Sequence, residues 1–325
     1  MKMKLTTPVD IAGLARLILS PECKSIAILS GAGVSTSSGI PDFRSPGGMY
    51  DTLRPELITA NQWERKLMEE DPTYVVSWDI FKHNAFPYLE VRRPFILNTR
   101  RQLWKSTIAH RFAELLHVKT KKLTRVYTQN IDGLDRQCKD LPPDKIVNVH
   151  GTISKASCEG CGHEQDYDDF CDSVQSKIKD IYKMDPNAPK ESSPIPCEKC
   201  EKPLVKPSTV LFGRPLPLDF FENVPGDLKS LDLLIVAGTS LVVSPANQLV
   251  SSVPDTTIRV VVNVNHVGAE LGIDYGPNPK RDFFAKGTCD EVFLELITEL
   301  GWLDDLKTKM ELIPEASVKL IQSRN

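Results

Sequence analysis

The sequence has no run of 18 consecutive apolar residues, so no helix able to span a bilayer is expected. It has no large excess of charge of either sign. The 40 basic and 43 acidic side chains leave a formal net charge of −3, which argues against charge-driven binding to nucleic acid or to an anionic membrane. The start, MKMKLTTPVD, carries two lysines with no apolar stretch behind them. No secretory signal is therefore expected, and the protein reads as intracellular, cytoplasmic or nuclear, and not secreted. Internal repeats and low-complexity tracts are missing. Cysteine is too sparse for a disulfide scaffold, with eight in 325 residues. The 41% hydrophobic content is enough for a sizeable core. At about 150 residues per domain, the length fits two domains or one large domain with an inserted module.

Apolar runs of strand length recur at Ser25–Leu29, Leu123–Thr128, Lys145–Val149, Ser208–Phe212, Leu231–Ala237 and Ile258–Val264. They are nearly continuous rather than alternating, as in a parallel sheet covered on both faces. Between them helical periodicity appears. Ile108, Phe112, Leu115 and Leu116 form one stripe, and Val292, Leu294, Ile297 and Leu300 a rougher one. The alternation predicts an α/β fold, a Rossmann-like doubly wound parallel sheet. Two stretches break the rhythm: 51–104 is helical in character, and 151–206 is polar, rich in proline and holds two cysteine pairs. The expected organisation is a Rossmann-like domain from 1–50, 105–150 and 207–302, a helical module at 51–104, a cysteine module at 151–206 and a tail at 303–325. Segment 151–206 carries so little apolar surface that it is expected to need a metal staple.

Cys158 and Cys161, with Cys197 and Cys200, form two Cys-x-x-Cys pairs. Four thiolates in this arrangement suit a closed, tetrahedral zinc site with no vacancy for water, and so a structural role. The loop between the pairs is longer than the about 15–20 residues usual for a zinc ribbon, and it contains His163 and Cys171 as competing ligands. The remaining cysteines read as reduced thiols.

The first apolar run leads into Ser30-Gly31-Ala32-Gly33-Val34-Ser35-Thr36-Ser37-Ser38-Gly39. Glycines there let backbone N–H groups approach phosphate, and a following helix N-terminus would add positive potential. The third glycine comes six residues after the second instead of three, and no acidic residue ends a second strand about 20 residues on. A hydride-transferring dehydrogenase is disfavoured. A ligand-free tight turn and a dinucleotide bound in another manner both stay open for this loop alone.

Together with motifs farther along the chain, the loop resembles the cofactor loop of the sirtuin family. Gly31-Ala32-Gly33-Val34-Ser35 and Gly39-Ile40-Pro41-Asp42-Phe43-Arg44 precede Thr128-Gln129-Asn130-Ile131-Asp132-Gly133-Leu134, His150-Gly151-Thr152, both cysteine pairs and Lys206-Pro207. After these come Gly238-Thr239-Ser240-Leu241, Asn263 and Gly287-Thr288-Cys289-Asp290. The order is that of the family over residues 20–302.

The resemblance implies an NAD-dependent protein lysine deacetylase: the acyl group moves from lysine to ADP-ribose and nicotinamide leaves. It implies NAD and structural zinc as cofactors. The partners would be acetyl-lysine proteins or peptides, histones among the candidates, acted on by a monomer. Within it, His150 is the general base and Asn130 its catalytic companion, since a ribose hydroxyl must lose a proton near neutral pH. Ala32, Gly33, Val34, Ser35, Thr36, Asp42, Phe43, Arg44, Gln129, Asn130, Ile131, Asp132, Gly238, Thr239, Ser240, Asn263, Asn265 and Cys289 are expected around the cofactor. For Cys289 a plain buried thiol is nearly as good a reading.

Lys206 to Pro217 resembles the strand that pairs with an extended peptide by main-chain hydrogen bonds. There Val210, Leu211, Phe212 and Gly213 would meet the substrate. Two residues depart from the family pattern: Leu211 replaces Phe and Arg214 replaces Glu, so a changed preference for flanking residues is expected. The Tyr-x-x-Arg pattern of relatives that prefer acidic acyl groups is missing. Tyr88 and Arg92 are off by one residue, so acetyl is favoured. Mono-ADP-ribosyl transfer and a catalytically quiet NAD-sensing module are the alternative readings.

Overall fold

The computed structural model describes residues 5–40 and 48–324. Among the described residues nine strands form two sheets. β1 (Ile26–Ser30), β2 (Leu123–Thr128), β3 (Ile146–Asn148), β7 (Leu233–Ala237), β8 (Ile258–Asn263) and β9 (Asp282–Lys286) make a six-stranded sheet. β4 (Gly151–Cys158), β5 (Glu164–Gln165) and β6 (Val205–Thr209) make a separate three-stranded one.

The large sheet runs β3-β2-β1-β7-β8-β9 with every pairing parallel. Its strand order reverses between β1 and β7, and in such sheets ligands bind at the crevice beyond the carboxyl ends of the strands at that point. Alternate side chains explain the double cover. Ile26 and Ile28 of β1 enter a core with the helices Ile11–Leu19, Ile108–Thr120 and Cys289–Glu299. Ala27 and Leu29 enter another with Phe220, Leu228 and Leu249. All four residues of the first stripe, Ile108, Phe112, Leu115 and Leu116, are buried, and Phe112 stacks on Phe293 with centroids 4.7 Å apart. Beyond Trp302, short helices carry Leu306 and Ile321, and the link between them Ile313, into the same core.

The small sheet is antiparallel, in the order β5-β4-β6. Two expectations change here. The run Ser208–Phe212 is not a strand of the large sheet. The strand ends at Thr209 and pairs with β4, and Phe212 forms a single parallel bridge to Ser77. The polar segment 151–206 also has more apolar burial than its composition suggests. The helix Tyr167–Lys177 buries Phe170, Cys171 and Val174 in a core shared with Tyr88, Leu89, Val91 and Ile96 of the helix Phe86–Arg100. Each stretch alone is too polar to close a core, and together they make one. Among the described residues no helix is long and apolar enough to cross a membrane.

Candidate active site

The crevice at the strand-order reversal opens into a cleft of about 370 Å³ between the large sheet and the small one. Gly31 and Ala32 at the end of β1, and Gly238, Thr239 and Ser240 at the end of β7, form one wall. Close backbone packing makes this possible. A Cβ on Gly33 would lie 2.6 Å from the Gly238 Cα, and Gly33 N donates to Gly238 O at 2.8 Å. Only glycine lets the two turns touch. Behind Gly31 the chain makes two three-residue 3-10 turns, Ala32–Val34 and Thr36–Ser38, where the sequence suggested a longer helix. The turns suit Ser35, whose hydroxyl is directed inward to Asp132.

Gln129, Asn130 and Ile131 follow β2 and line the second wall. The two amide hydrogens of Asn130 go to Gly31 O (3.0 Å) and Ser35 Oγ (3.1 Å), which turns its carbonyl end outward. Asp132 lies behind, accepting from Ser35 Oγ at 2.6 Å and from Leu134 N at 2.9 Å. Burial raises its pKa, against the pull of His110. Gln129 Nε2 donates to Thr239 Oγ1 at 2.9 Å and ties the two walls together.

His150 stands where the two sheets meet. Val149 N still donates to Thr128 O of β2 (2.9 Å), while the His150 carbonyl accepts from Val210 N (2.9 Å) beside β6. Gly151 makes the transfer from one sheet to the other with φ +75, where a side chain would strike the Ser208 carbonyl. The His150 ring is half-buried. Its Nδ1 contacts Gln129 O at 2.9 Å, and its Nε2 is buried without a hydrogen-bond partner. A carbonyl can only accept, so the proton sits on Nδ1 and the Nε2 lone pair is the orphan. Burial lowers the pKa from the ordinary 6.5, and the Gln129 carbonyl opposes this. The ring is a neutral base with one unfilled acceptor position, as expected where a hydroxyl-bearing ligand belongs.

Val210, Leu211, Phe212 and Gly213 form the far wall, with Val76, Tyr88, Arg92 and Thr209. Tyr88 Oη and Thr209 Oγ1 are 2.6 Å apart. Sequence reasoning left the contribution of 51–104 open. A spacing of four residues, like three, keeps two helix positions on one face, so Tyr88 and Arg92 both reach the cleft and the one-residue offset no longer argues for acetyl. Val243, Ser244 and Pro245 also line it and were not foreseen.

Other expected residues lie apart from the cleft lining. Asn263 hydrogen-bonds Thr239 O at 2.9 Å and braces the turn, and Asn265 is exposed beyond β8. Cys289 starts a helix inside the main core, where burial pushes its thiol up to about 12. Val34 accepts at its carbonyl from Thr107 Oγ1 (2.7 Å), and Thr36 caps Gly33 O (3.1 Å). Asp42, Phe43 and Arg44 lie outside the described residues.

The four paired cysteines converge. Their Sγ atoms all lie within 4.8 Å of one another, with Cys158 to Cys200 and Cys161 to Cys197 both at 3.7 Å. A tetrahedron with Zn–S bonds of about 2.3 Å has edges of about 3.8 Å, so the spacing fits zinc. Gly160 N (3.3 Å) and Lys199 N (3.4 Å) donate to Cys158 and Cys197 and would support thiolate charge. Cys171 is buried in the shared core and His163 faces Glu198, so neither joins the cluster.

Comparison with known proteins agrees with this geometry. The Sir2 family profile matches residues 31–245. Sirtuin-2 of Danio rerio, an NAD-dependent protein deacetylase, is 32% identical over 94% of this chain and 75% of its own. The NAD-dependent protein deacetylase hst2 of Schizosaccharomyces pombe is 33% identical over 90% of this chain and 77% of its own. Sirtuin-3 of Mus musculus, with the same described activity, is 31% identical over 93% and 79%. With a glycine-lined crevice, an orphaned imidazole and a four-cysteine cluster arranged on this topology, the chain belongs to the Sir2 family.

Proposed function

We propose that this chain is an NAD-dependent protein lysine deacetylase, which moves the acetyl group from lysine to ADP-ribose and releases nicotinamide. The observation that carries the reading is the orphaned Nε2 of His150, at the junction of the strand-end crevice and the channel walled by Val210, Leu211 and Phe212. When bound, NAD supplies the activated ribose carbon to which the acyl oxygen transfers. His150 would accept a proton at Nε2 from a ribose hydroxyl, its tautomer fixed by Gln129 O and its neutral form favoured by burial. Asn130, pinned at Nδ2, would present Oδ1 to the sugar, with Ile131 closing the floor and Asp132 and Ser35 holding Asn130 in place.

Backbone groups of Ala32, Gly33, Val34, Ser35 and Thr36 would take the phosphates, with Gly238, Thr239 and Ser240 opposite. Asn263 and Asn265 would face the adenosine side, and Asp42, Phe43 and Arg44 would cover the cofactor. Cys289 is better read as a core thiol. Val210 and Phe212 would flank the lysine stem, and the Leu211–Gly213 backbone would hold the peptide. The cysteine cluster would hold zinc with all four positions filled, a stabilising role. Boundaries near residues 50, 104 and 150 belong to the same reading, whereas the one expected at 206 falls inside β6 (Val205–Thr209) and is better set beyond Thr209; hydrogen exchange segment by segment tests them.

The test is incubation with NAD and an acetyl-lysine peptide, read by mass spectrometry. Free lysine peptide, nicotinamide and acetyl-ADP-ribose should form in equal amounts. Adenylate label retained on protein, with the acetyl-lysine intact, would overturn the reading in favour of ADP-ribosyl transfer.

A further inference from the structure

Arg214 lies at the mouth of the cleft, just past the segment that walls the lysine channel. Its place is fixed from several sides. Phe212 N donates to Val76 O (3.0 Å) and Trp78 N to Phe212 O (2.9 Å), so the preceding chain is clamped. Gly213, at φ +86, turns the backbone, and Arg214 N closes the turn onto Leu211 O at 3.0 Å. The guanidinium then lies over the Trp78 ring, 4.8 Å from its centroid.

Arg214 Nε is also 3.2 Å from Glu159 Oε2. Glu159 belongs to the first cysteine pair, between Cys158 and Gly160. Its other oxygen is 2.9 Å from Lys206 Nζ, a side chain only 1% exposed that also donates to the carbonyls of Pro207 and Thr209. One carboxylate therefore serves two cations. Lys206 is sealed, whereas the Arg214 side chain is 41% exposed, so the surplus positive charge surfaces at the cleft mouth. The described residues lining the cleft include two guanidinium groups, Arg92 and Arg214, and no carboxylate, and Asp79 beside Trp78 is paired with Lys82 at 3.1 Å. Around Arg214, Phe212 and Phe221 line the cleft and are 40% and 49% exposed, an apolar rim for a bound chain.

We propose that this cleft selects acetyl-lysine segments with acidic flanking residues, with Arg214 as the specificity-determining side chain and Trp78 as the platform that positions it. The proposal rests on the deacetylase reading and names the substrate class within it, setting acidic segments above strongly basic tails.

The test uses three acetyl-lysine peptides that differ only in carrying Glu, Gln or Lys at the positions flanking the modified residue. For the wild-type enzyme, kcat/KM should fall in the order Glu, Gln, Lys. An exposed ion pair changes binding by about 1.5- to fivefold, and a Lys-to-Glu exchange both removes a repulsion and adds an attraction, so the two factors multiply to a span of about two- to 25-fold. Raising ionic strength should shrink that span. Arg214→Glu should invert the order, Arg214→Gln should flatten it, and Arg214→Lys should keep its sign. Trp78→Leu should narrow the Glu-to-Lys ratio, a readout that a simple loss of folded enzyme leaves unchanged. Equal rates on all three peptides, or an order that survives Arg214→Glu, would overturn the proposal while leaving deacetylation intact. No turnover of any peptide would overturn the deacetylase reading and this inference with it.

Discussion

The two sides of the cleft differ in what makes them rigid. The β1 and β7 turns end strands whose every residue is buried, and each turn is fixed against the other by backbone contact. The opposite side rests on a three-stranded sheet whose β5 has only two residues, beside a helix of mixed polarity and a cluster of four thiols. An apolar sheet sandwiched by helices holds its shape through burial. A small polar sheet does so only with a further constraint. The site therefore joins a wall held by apolar burial to one that a metal at the cysteine cluster would brace, and His150 is hydrogen-bonded to Gln129 beyond β2 and to Val210 beside β6.

That contrast can be broken most severely at the cysteines. Zinc removal, or Cys200→Ser, should release the small sheet, since structural zinc in small modules contributes on the order of 10 kcal/mol. Hydrogen exchange should then rise across 151–206 while Leu233–Ala237 stays protected, and activity should vanish. The reverse break is Phe112→Ala in the main core, which should cost about 3–5 kcal/mol. Thermal denaturation should show the loss, with zinc content unchanged.

His150→Ala should lower kcat/KM by about 10²- to 10⁴-fold with little change in Tm, because general-base catalysis is worth that much and the ring packs at a cleft. Gly33→Ala should have a smaller effect, about 1–3 kcal/mol from forcing the two turns apart, read as a higher KM for NAD with a smaller change for peptide. The mildest effect is that of pH. Neutral imidazole is the active form, and it is lost as pH falls through the His150 pKa. Burial places that pKa below the ordinary 6.5, so kcat/KM should hold from pH 8 to 6.5 and decline only on further acidification.

The two sides also differed in how far the sequence disclosed them. Strand runs such as Leu231–Ala237 and the stripe from Ile108 to Leu116 announce themselves because burial on fixed faces leaves a periodic trace. The cysteine pairs could be named as a metal site from their spacing, whereas His150 and Asn130 became candidates only because the ordered motifs resemble the sirtuin family. The shared core of Tyr88 and Phe170 could not be seen, since two polar stretches far apart in sequence supply one half each. Strand β9 was missed because Asp282–Lys286 lies at the sheet's edge, with charged residues at both ends of the run. Arg214 was noticed as an oddity, yet its setting depends on Glu159 and Trp78, which only the fold brings to it.

The account depends most on the crevice and the lysine channel acting as one site. Nicotinamide release from NAD, measured with and without an acetyl-lysine peptide, tests this directly. Release should stay near background with NAD alone and rise many-fold when the peptide is added. Equal release in both conditions would contradict the account.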